Sequence, residues 1–273
     1  MIIIGERINS TRSSIKRALV DNDMSFLMNE AQEQLDCGAE FIDINTAATL
    51  ENEESSLLAL IRNIQDKFGC KISIDSPDAG IMKSALRMCE DKPFINSISG
   101  EEKRLALLDD FAGDESYIIA LAMNNDGMPN AIDDRVSIAE EIISKAVSKG
   151  IDKNNIFIDP LAKPISTEPK QAHFFLESVR LLKAKGIRCI GGLSNVSFGL
   201  PRRDLLNAVF IKLAIEAGID AAIIDPTQNL VRDLLGGKEL DKEAISLVQD
   251  ALLGRDEYLM NYIKAFRAGM LNI

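Results

Sequence analysis

The sequence predicts an α/β protein of the (β/α)8 barrel class, with extra helices at its C-terminal end. Three observations predict it. Eight short apolar runs recur along the chain, each separated from the next by a longer stretch, several with helical spacing. Glycines close many of those stretches just before the next run begins. The length of 273 residues suits eight such units in one domain spanning 1–273. A doubly wound open sheet is the rival arrangement. It usually carries a Gly-rich phosphate loop after its first strand, where this chain reads Glu6-Arg7-Ile8-Asn9.

The first run is Ile2 to Ile4, and the second is Phe41 to Ile44, after a segment that ends at Cys37-Gly38. Leu57, Leu58, Ile61 and Ile64 form one apolar helix face, closed by Phe68-Gly69 ahead of the third run, Lys71 to Ile74. The fourth run is Pro93 to Ile98 and the fifth is Tyr117 to Met123. A second helix face follows, Ile138, Ile142, Ala146 and Val147, closed by Lys149-Gly150 before the sixth run, Ile156 to Ile158. Lys185-Gly186 precedes the seventh run, Ile187 to Leu193. Leu205, Val209, Leu213 and Ile215 then form a third face, and Ala217-Gly218 introduces the eighth run, Ala221 to Ile224. Helical patterns continue beyond it, including Lys242 to Leu252 and Glu257 to Ala268.

In a barrel the C-terminal ends of all strands meet on one face, and that face carries the chemistry. Here those ends hold Glu6; Asp43 and Asn45; Asp75; Asn96; Asn124; Asp159; Asn195; and Asp225. Every strand contributes a carboxylate or an amide. Asp75, Asp159 and Asp225 lie beside Pro77, Pro160 and Pro226, and Asp is a good turn former, so each alone has a purely structural explanation. Turns by themselves would use more Gly, Ser and Thr than this ring does. Acceptors and amides suit a flat heterocycle with several N–H donors, because a carboxylate accepts two adjacent donors and an amide offers both kinds of group. A pterin fits that description, and so does a purine.

Other classes fit less well. Lys plus Arg is 31 against 42 for Asp plus Glu, a net charge of −11, which disfavours nucleic acid. Cys37, Cys70, Cys89 and Cys189 form no CxxC pair and suit a reduced, cytoplasmic protein. His173 is the single histidine, so a His-rich metal site is not expected. The N-terminus lacks a basic region before its short apolar run, and no run is long enough for a membrane span.

Six segments carry a family resemblance. They are Ile2-Ile3-Ile4-Gly5-Glu6-Arg7-Ile8-Asn9, Phe41-Ile42-Asp43-Ile44-Asn45, Ile74-Asp75-Ser76, Ile95-Asn96-Ser97, Ile158-Asp159-Pro160-Leu161 and Gly192-Leu193-Ser194-Asn195-Val196-Ser197. Together they resemble the pterin-binding methyltransferases that exchange a methyl group between N5 of tetrahydrofolate and the cobalt of a corrinoid protein. The resemblance implies a dihydropteroate synthase-like barrel and a homodimer. It implies tetrahydrofolate or 5-methyltetrahydrofolate as substrate, and a corrinoid (cobalamin) carried by a partner protein. It also implies that Asp75, Asn96 and Asp159 grip the pyrimidine side of the pterin, with Asp43 in the same pocket. Asn195 resembles the mobile amide that reaches N5 and serves as the catalytic group. Some relatives have Gln three residues after that Asn; here Phe198 stands there, and it is expected to pack on the folate.

Two alternatives belong beside this reading. Dihydropteroate synthases share the pterin-gripping residues but carry a Ser-Arg-Lys-type sequence near the seventh strand, where this chain reads Gly-Leu-Ser-Asn-Val-Ser. A non-catalytic folate-binding subunit would keep the pocket and transfer nothing.

Overall fold

The computed structural model describes residues 1–238 and 242–271. Eight parallel strands form one sheet: β1 (Ile2–Asn9), β2 (Phe41–Asn45), β3 (Lys71–Asp75), β4 (Phe94–Ser99), β5 (Tyr117–Leu121), β6 (Ile156–Asp159), β7 (Arg188–Cys189) and β8 (Ala221–Ile224). Their order is β7-β6-β5-β4-β3-β2-β1-β8, so consecutive strands are neighbours and the two ends of the sheet are β7 and β8. Those ends meet. The N–H of Asp220 donates to the Cys189 carbonyl (3.0 Å), that of Ile223 to Gly191 (2.9 Å), and Gly192 forms an isolated parallel bridge with Ile223. The barrel therefore closes through a thin seam beside the seventh strand.

That strand is shorter than the apolar run Ile187 to Leu193 suggests. A Cβ at Gly191 would lie 2.6 Å from Phe175 Cζ, so the chain there runs tight against the helix Gln171–Ala184. Leu193–Ser197 then turns into a 3-10 helix, which puts Asn195 on a turn beyond the strand. The first strand is longer than expected and carries a register shift between Gly5 and Ile8. Gln34 Oε1 accepts the Arg7 backbone N–H there at 2.9 Å, and a Cβ at Gly5 would sit 2.4 Å from that same oxygen. Glycine at position 5 makes the contact sterically possible.

The predicted glycine caps occupy the left-handed region, with φ of 93° at Gly38, 59° at Gly69, 87° at Gly150, 66° at Gly186 and 94° at Gly218. The helix faces are buried as their spacing requires, except at their margins, where Val147 and Ile215 are exposed. Beyond β8 the chain forms helices Asn229–Leu235, Lys242–Leu252 and Met260–Arg267. The last is preceded by a kink at Tyr258 and Leu259, so the predicted segment Glu257 to Ala268 is a 3-10 turn followed by a helix. No described helix is long and apolar enough to cross a membrane.

Two apolar layers hold the barrel. The larger lies between the strands and the surrounding helices. The smaller fills the inside of the barrel with Ile4, Phe41, Phe94, Ile119, Phe157, Ile190, Ala221 and Ile223. Phe94 is its centre, with ring centroids 4.9 Å from Phe41, 4.9 Å from Tyr117 and 5.1 Å from Phe157. The contacts with Phe41 and Phe157 are edge-on, which brings the positive rim of one ring to the negative face of another, and the Tyr117 ring is tilted. Lys92, Arg188 and Lys71 lie over the rings of Tyr117, Phe157 and Phe41.

Candidate active site

Alternation along a strand repeats a face every second residue. Two positions past five of the plug residues the chemistry changes: Ile4 gives Glu6, Phe41 gives Asp43, Phe94 gives Asn96, Phe157 gives Asp159 and Ile223 gives Asp225. On β3 the same step leads from Ser73 to Asp75. An apolar floor thus carries a polar wall directly above it. The cavity over that wall has a volume of about 580 Å³ and opens at the C-terminal ends of the strands. Asp43, Asp75, Asn96, Asp159 and Asn195 all line it.

Not every residue of the expected ring takes part. β5 contributes Leu121, and Asn124 lies in a tight loop where it bridges Gly127. Asn45 holds the β1 and β2 loops: its Oδ1 accepts from Ser10 Oγ (2.9 Å) and the Ala47 N–H (3.2 Å). Phe198 is 64% exposed and does not line the cavity; the Arg203 guanidinium lies over its ring. The expected packing of Phe198 on a cavity-bound ring is absent from this geometry, because Phe198 follows the 3-10 turn on its outer side, where its carbonyl accepts from Ser166 Oγ. Glu6 and Asp225, both named from sequence in the strand-end ring, also line the cavity, and so do Asn9, Arg12, Ser97, Ser194, Arg203 and Gln228. Nothing local in sequence points to Arg203, which begins the helix Arg203–Ala217.

The wall is a set of carboxyls, with Asp43 and Asp159 buried and Glu6 and Asp75 half-buried. Asp43 Oδ1 accepts from Ser73 Oγ (2.6 Å) and Asn96 Nδ2 (3.1 Å). The second bond fixes the Asn96 amide and leaves its oxygen as an acceptor for a ligand. Burial raises Asp43 well above the usual carboxyl range, the charge of Asp75 raises it further, and the two hydrogen bonds pull it back. Asp75 is raised too, by burial against a lowering hydrogen bond from Asn45. Asp159 is pushed up to about 6 by burial, offset by the backbone N–H groups of Leu161 and Gly192 and by Arg135. Glu6 is pushed up to about 7, again by burial.

Arg135 shapes this side of the cavity from behind. It is fully buried and donates to the carbonyls of Pro129 (3.2 Å), Pro160 (3.0 Å) and Leu161 (3.2 Å), and to Gln171 Oε1 (2.8 Å). Those bonds set the turn Asp159-Pro160-Leu161, in which Leu161 adopts φ 67° and its N–H caps Asp159 Oδ1 at 2.7 Å. Arg135→Met should strand four acceptors. We expect a stability loss of about 3 kcal/mol, read as a lower urea midpoint at unchanged slope.

Asn195 is the opposite case. Its turn is pinned from several sides. Arg203 donates to the Ser194 carbonyl (3.0 Å) and to Ser197 Oγ (3.1 Å), and Ser197 Oγ donates to that same carbonyl (3.2 Å). The Ile165 N–H reaches the Val196 carbonyl at 3.1 Å. Yet the Asn195 side chain is exposed and makes no hydrogen bond among the described residues. A fixed backbone with an unbonded amide at a cavity edge can turn either its N–H or its C=O to a ligand.

Fold and cleft together define a parallel barrel with a small-molecule site at the strand C-termini. Residues 5–225 match the family model described as pterin binding enzyme, and the chain belongs to that family. It is 34% identical over 281 residues to the methylcorrinoid:tetrahydrofolate methyltransferase of Eubacterium limosum, covering 99% of this chain and 98% of that protein. It is 27% identical over 266 residues to the methionine synthase of Mycobacterium leprae (strain TN), covering 92% of this chain and 22% of that larger protein. Among solved structures, dihydropteroate synthase from Stenotrophomonas maltophilia superposes with a TM-score of 0.64 at 18% identity, covering 86% of this chain and 92% of that one. That last likeness concerns the fold alone.

Proposed function

We propose that this protein exchanges a methyl group between N5 of tetrahydrofolate and the cobalt of a corrinoid carried by a partner protein. The observation that carries the reading is the unbonded Asn195 amide on a pinned turn, at the edge of a cavity walled by buried and half-buried acceptors. The end-to-end likeness to a methyltransferase named for the same two substrates supports it. Residues 1–273 work as one domain.

A pterin presents a 2-amino group and a ring N–H side by side. Asp159 and Asp75 accept such donors, and Asn96, its Nδ2 committed to Asp43, accepts through its oxygen. Asp43 stays behind and fixes Asn96. This grip leaves N5 for Asn195. The methyl group moves by direct displacement: the cobalt(I) electron pair forms the new bond to carbon as the N5–carbon bond breaks. The amine leaves with its electron pair, so a donor whose hydrogen bond strengthens at N5 lowers the barrel's chemical barrier. No side chain needs to carry the methyl group.

The test is optical. Purified protein, 5-methyltetrahydrofolate and free cob(I)alamin are mixed anaerobically, and the visible spectrum reports conversion to methylcobalamin. Absence of conversion in both directions, with folate bound, leaves a folate-binding subunit instead. Formation of dihydropteroate from p-aminobenzoate would assign the other pterin chemistry.

The physiological partner in this reading is a cytoplasmic corrinoid protein, and nucleic acid is not a ligand. The protein itself is a homodimer. The helices beyond β8 exceed what a minimal barrel needs, and they expose Tyr258, Met260 and Met270. Light scattering at micromolar concentration should give twice the chain mass, and a monomer mass contradicts the assembly.

A further inference from the structure

We propose that Glu6 is the proton reservoir of the methyl transfer, giving a proton to N5 when folate is the donor and taking it back in the reverse direction. This rests on the methyl-transfer reading above. The geometry that supports it is a carboxyl on the cavity wall that no cation contacts as an ion pair among the described residues. Glu6 makes no ion pair among the described residues, whereas Asp225 beside it has Arg7 and Arg12 at 3.8 and 3.9 Å. The hydroxyl of Ser194, the residue before Asn195, favours its ionised form, and Glu6, Ser194 and Asn195 line the same cavity. The carboxyl therefore shares the cavity with the turn that carries the amide assigned to N5.

The groups around Glu6 come from several elements. Asp225 after β8 disfavours its ionised form; Arg12 after β1 and Arg203 at the start of its helix favour it, as does the Ser194 hydroxyl. Asp43 on β2 feels the Glu6 charge in turn. Burial is the largest influence, and the carboxyl is pushed up to about 7. A group poised there is populated in both forms near neutrality, which suits an acid that must also act as a base.

The proton balance is complete without a further reagent. With methyltetrahydrofolate as donor, the N5–carbon bond breaks, the carbon–cobalt bond forms, and cobalt(I) becomes methyl-cobalt(III). The pair left on N5 takes the Glu6 proton, giving N5–H tetrahydrofolate and a carboxylate that water reprotonates. In reverse, N5 attacks the methyl carbon of methyl-cobalt(III), the carbon–cobalt bond breaks, and cobalt(I) leaves with its electron pair. The Glu6 carboxylate then removes the N5 proton.

The two directions therefore have opposite pH slopes. In single-turnover assays with free cobalamin, transfer from folate should fall as pH rises through about 7, and transfer to folate should rise, about a common midpoint. Glu6→Gln should flatten both profiles and lower the rate roughly 10²-fold, with tetrahydrofolate affinity and the far-ultraviolet spectrum unchanged. Carbon-13 NMR of glutamate-labelled protein should show one carboxyl titrating far above the others, absent from Glu6→Gln. A Glu6 resonance titrating at the ordinary glutamate value overturns the assignment. So does a pH profile retained in Glu6→Gln and lost in Asp43→Asn, which moves the role to Asp43. Absence of transfer by the wild type in both directions overturns the methyl-transfer reading and this proposal together, whereas wild-type transfer with an unaltered Glu6→Gln profile overturns this proposal alone.

Discussion

Asn195→Ala should slow single-turnover methyl transfer by about 10²–10³ while weakening tetrahydrofolate binding by less than tenfold. The asymmetry follows from where the amide sits. Its backbone is held by Arg203, Ser197 and the Ile165 N–H, so the substitution leaves the turn in place. Its side chain makes no hydrogen bond among the described residues, so nothing in the folded protein loses a partner. Ground-state N5 is crowded by its methyl group and accepts weakly. As the methyl group departs, electron density returns to N5 and the hydrogen bond strengthens. Only an interaction that grows on the way to the transition state raises the rate constant. The pterin meanwhile stays held by Asp75, Asn96 and Asp159. Rapid-mixing spectrophotometry paired with equilibrium binding separates the two effects. Equal losses in both would make Asn195 a binding residue, and no loss in either would move the chemistry elsewhere in the cavity.

The barrel was legible because each strand is a compact apolar run and many of the segments between them end in a glycine whose left-handed conformation the structure shows. Its seventh strand was not. An apolar run of seven residues contains Gly191 and Gly192, and only contact with Phe175 and β8 decides that most of it bends out of the sheet. The first strand hid its length for a related reason, since the bulge at Glu6 depends on Gln34 from a distant helix. Most of the polar mouth was readable as residues at strand ends. Which side chains face inward was less so. Asn45 and Asn124 have the right chemistry, yet one is tied into neighbouring loops and the other into a turn. Parity from the aromatic floor would have set aside Asn124 but not Asn45, which shares a strand face with Phe41 and Asp43, and the floor becomes visible only when Phe41, Phe94 and Phe157 are seen to meet. Phe198 depended on which side of the 3-10 turn it leaves, and no local pattern specifies that.

Asp159→Asn should weaken tetrahydrofolate binding by roughly one to two decades and at the same time make the free protein more stable at neutral pH. Both effects come from the same buried carboxyl. Asp159 is 7% exposed, and burial lifts it from 3.8 in the unfolded chain to about 6 in the folded one. The folded state therefore holds the proton more tightly. Its stability is fullest below the unfolded value, falls as pH rises between the two, and levels off above about 6. The rise corresponds to a ceiling of about 3 kcal/mol lost at neutral pH. Asparagine cannot ionise, so the variant escapes that loss while still able to accept the Leu161 N–H. Glu6, Asp43 and Asp75 are shifted in the same direction, so the free wild-type protein should melt at progressively lower temperature as pH rises through this range. Tetrahydrofolate reverses the balance, because its paired N–H donors favour the ionised carboxylate. Wild-type affinity should then fall as pH drops through about 6, and Asp159→Asn should show a shallower fall, with Asp75 supplying the slope that remains. Calorimetric binding and thermal melts, each at about pH 5 and about pH 8, make the comparison. A variant with unchanged melting and unchanged affinity would place the Asp159 carboxyl outside the folate grip.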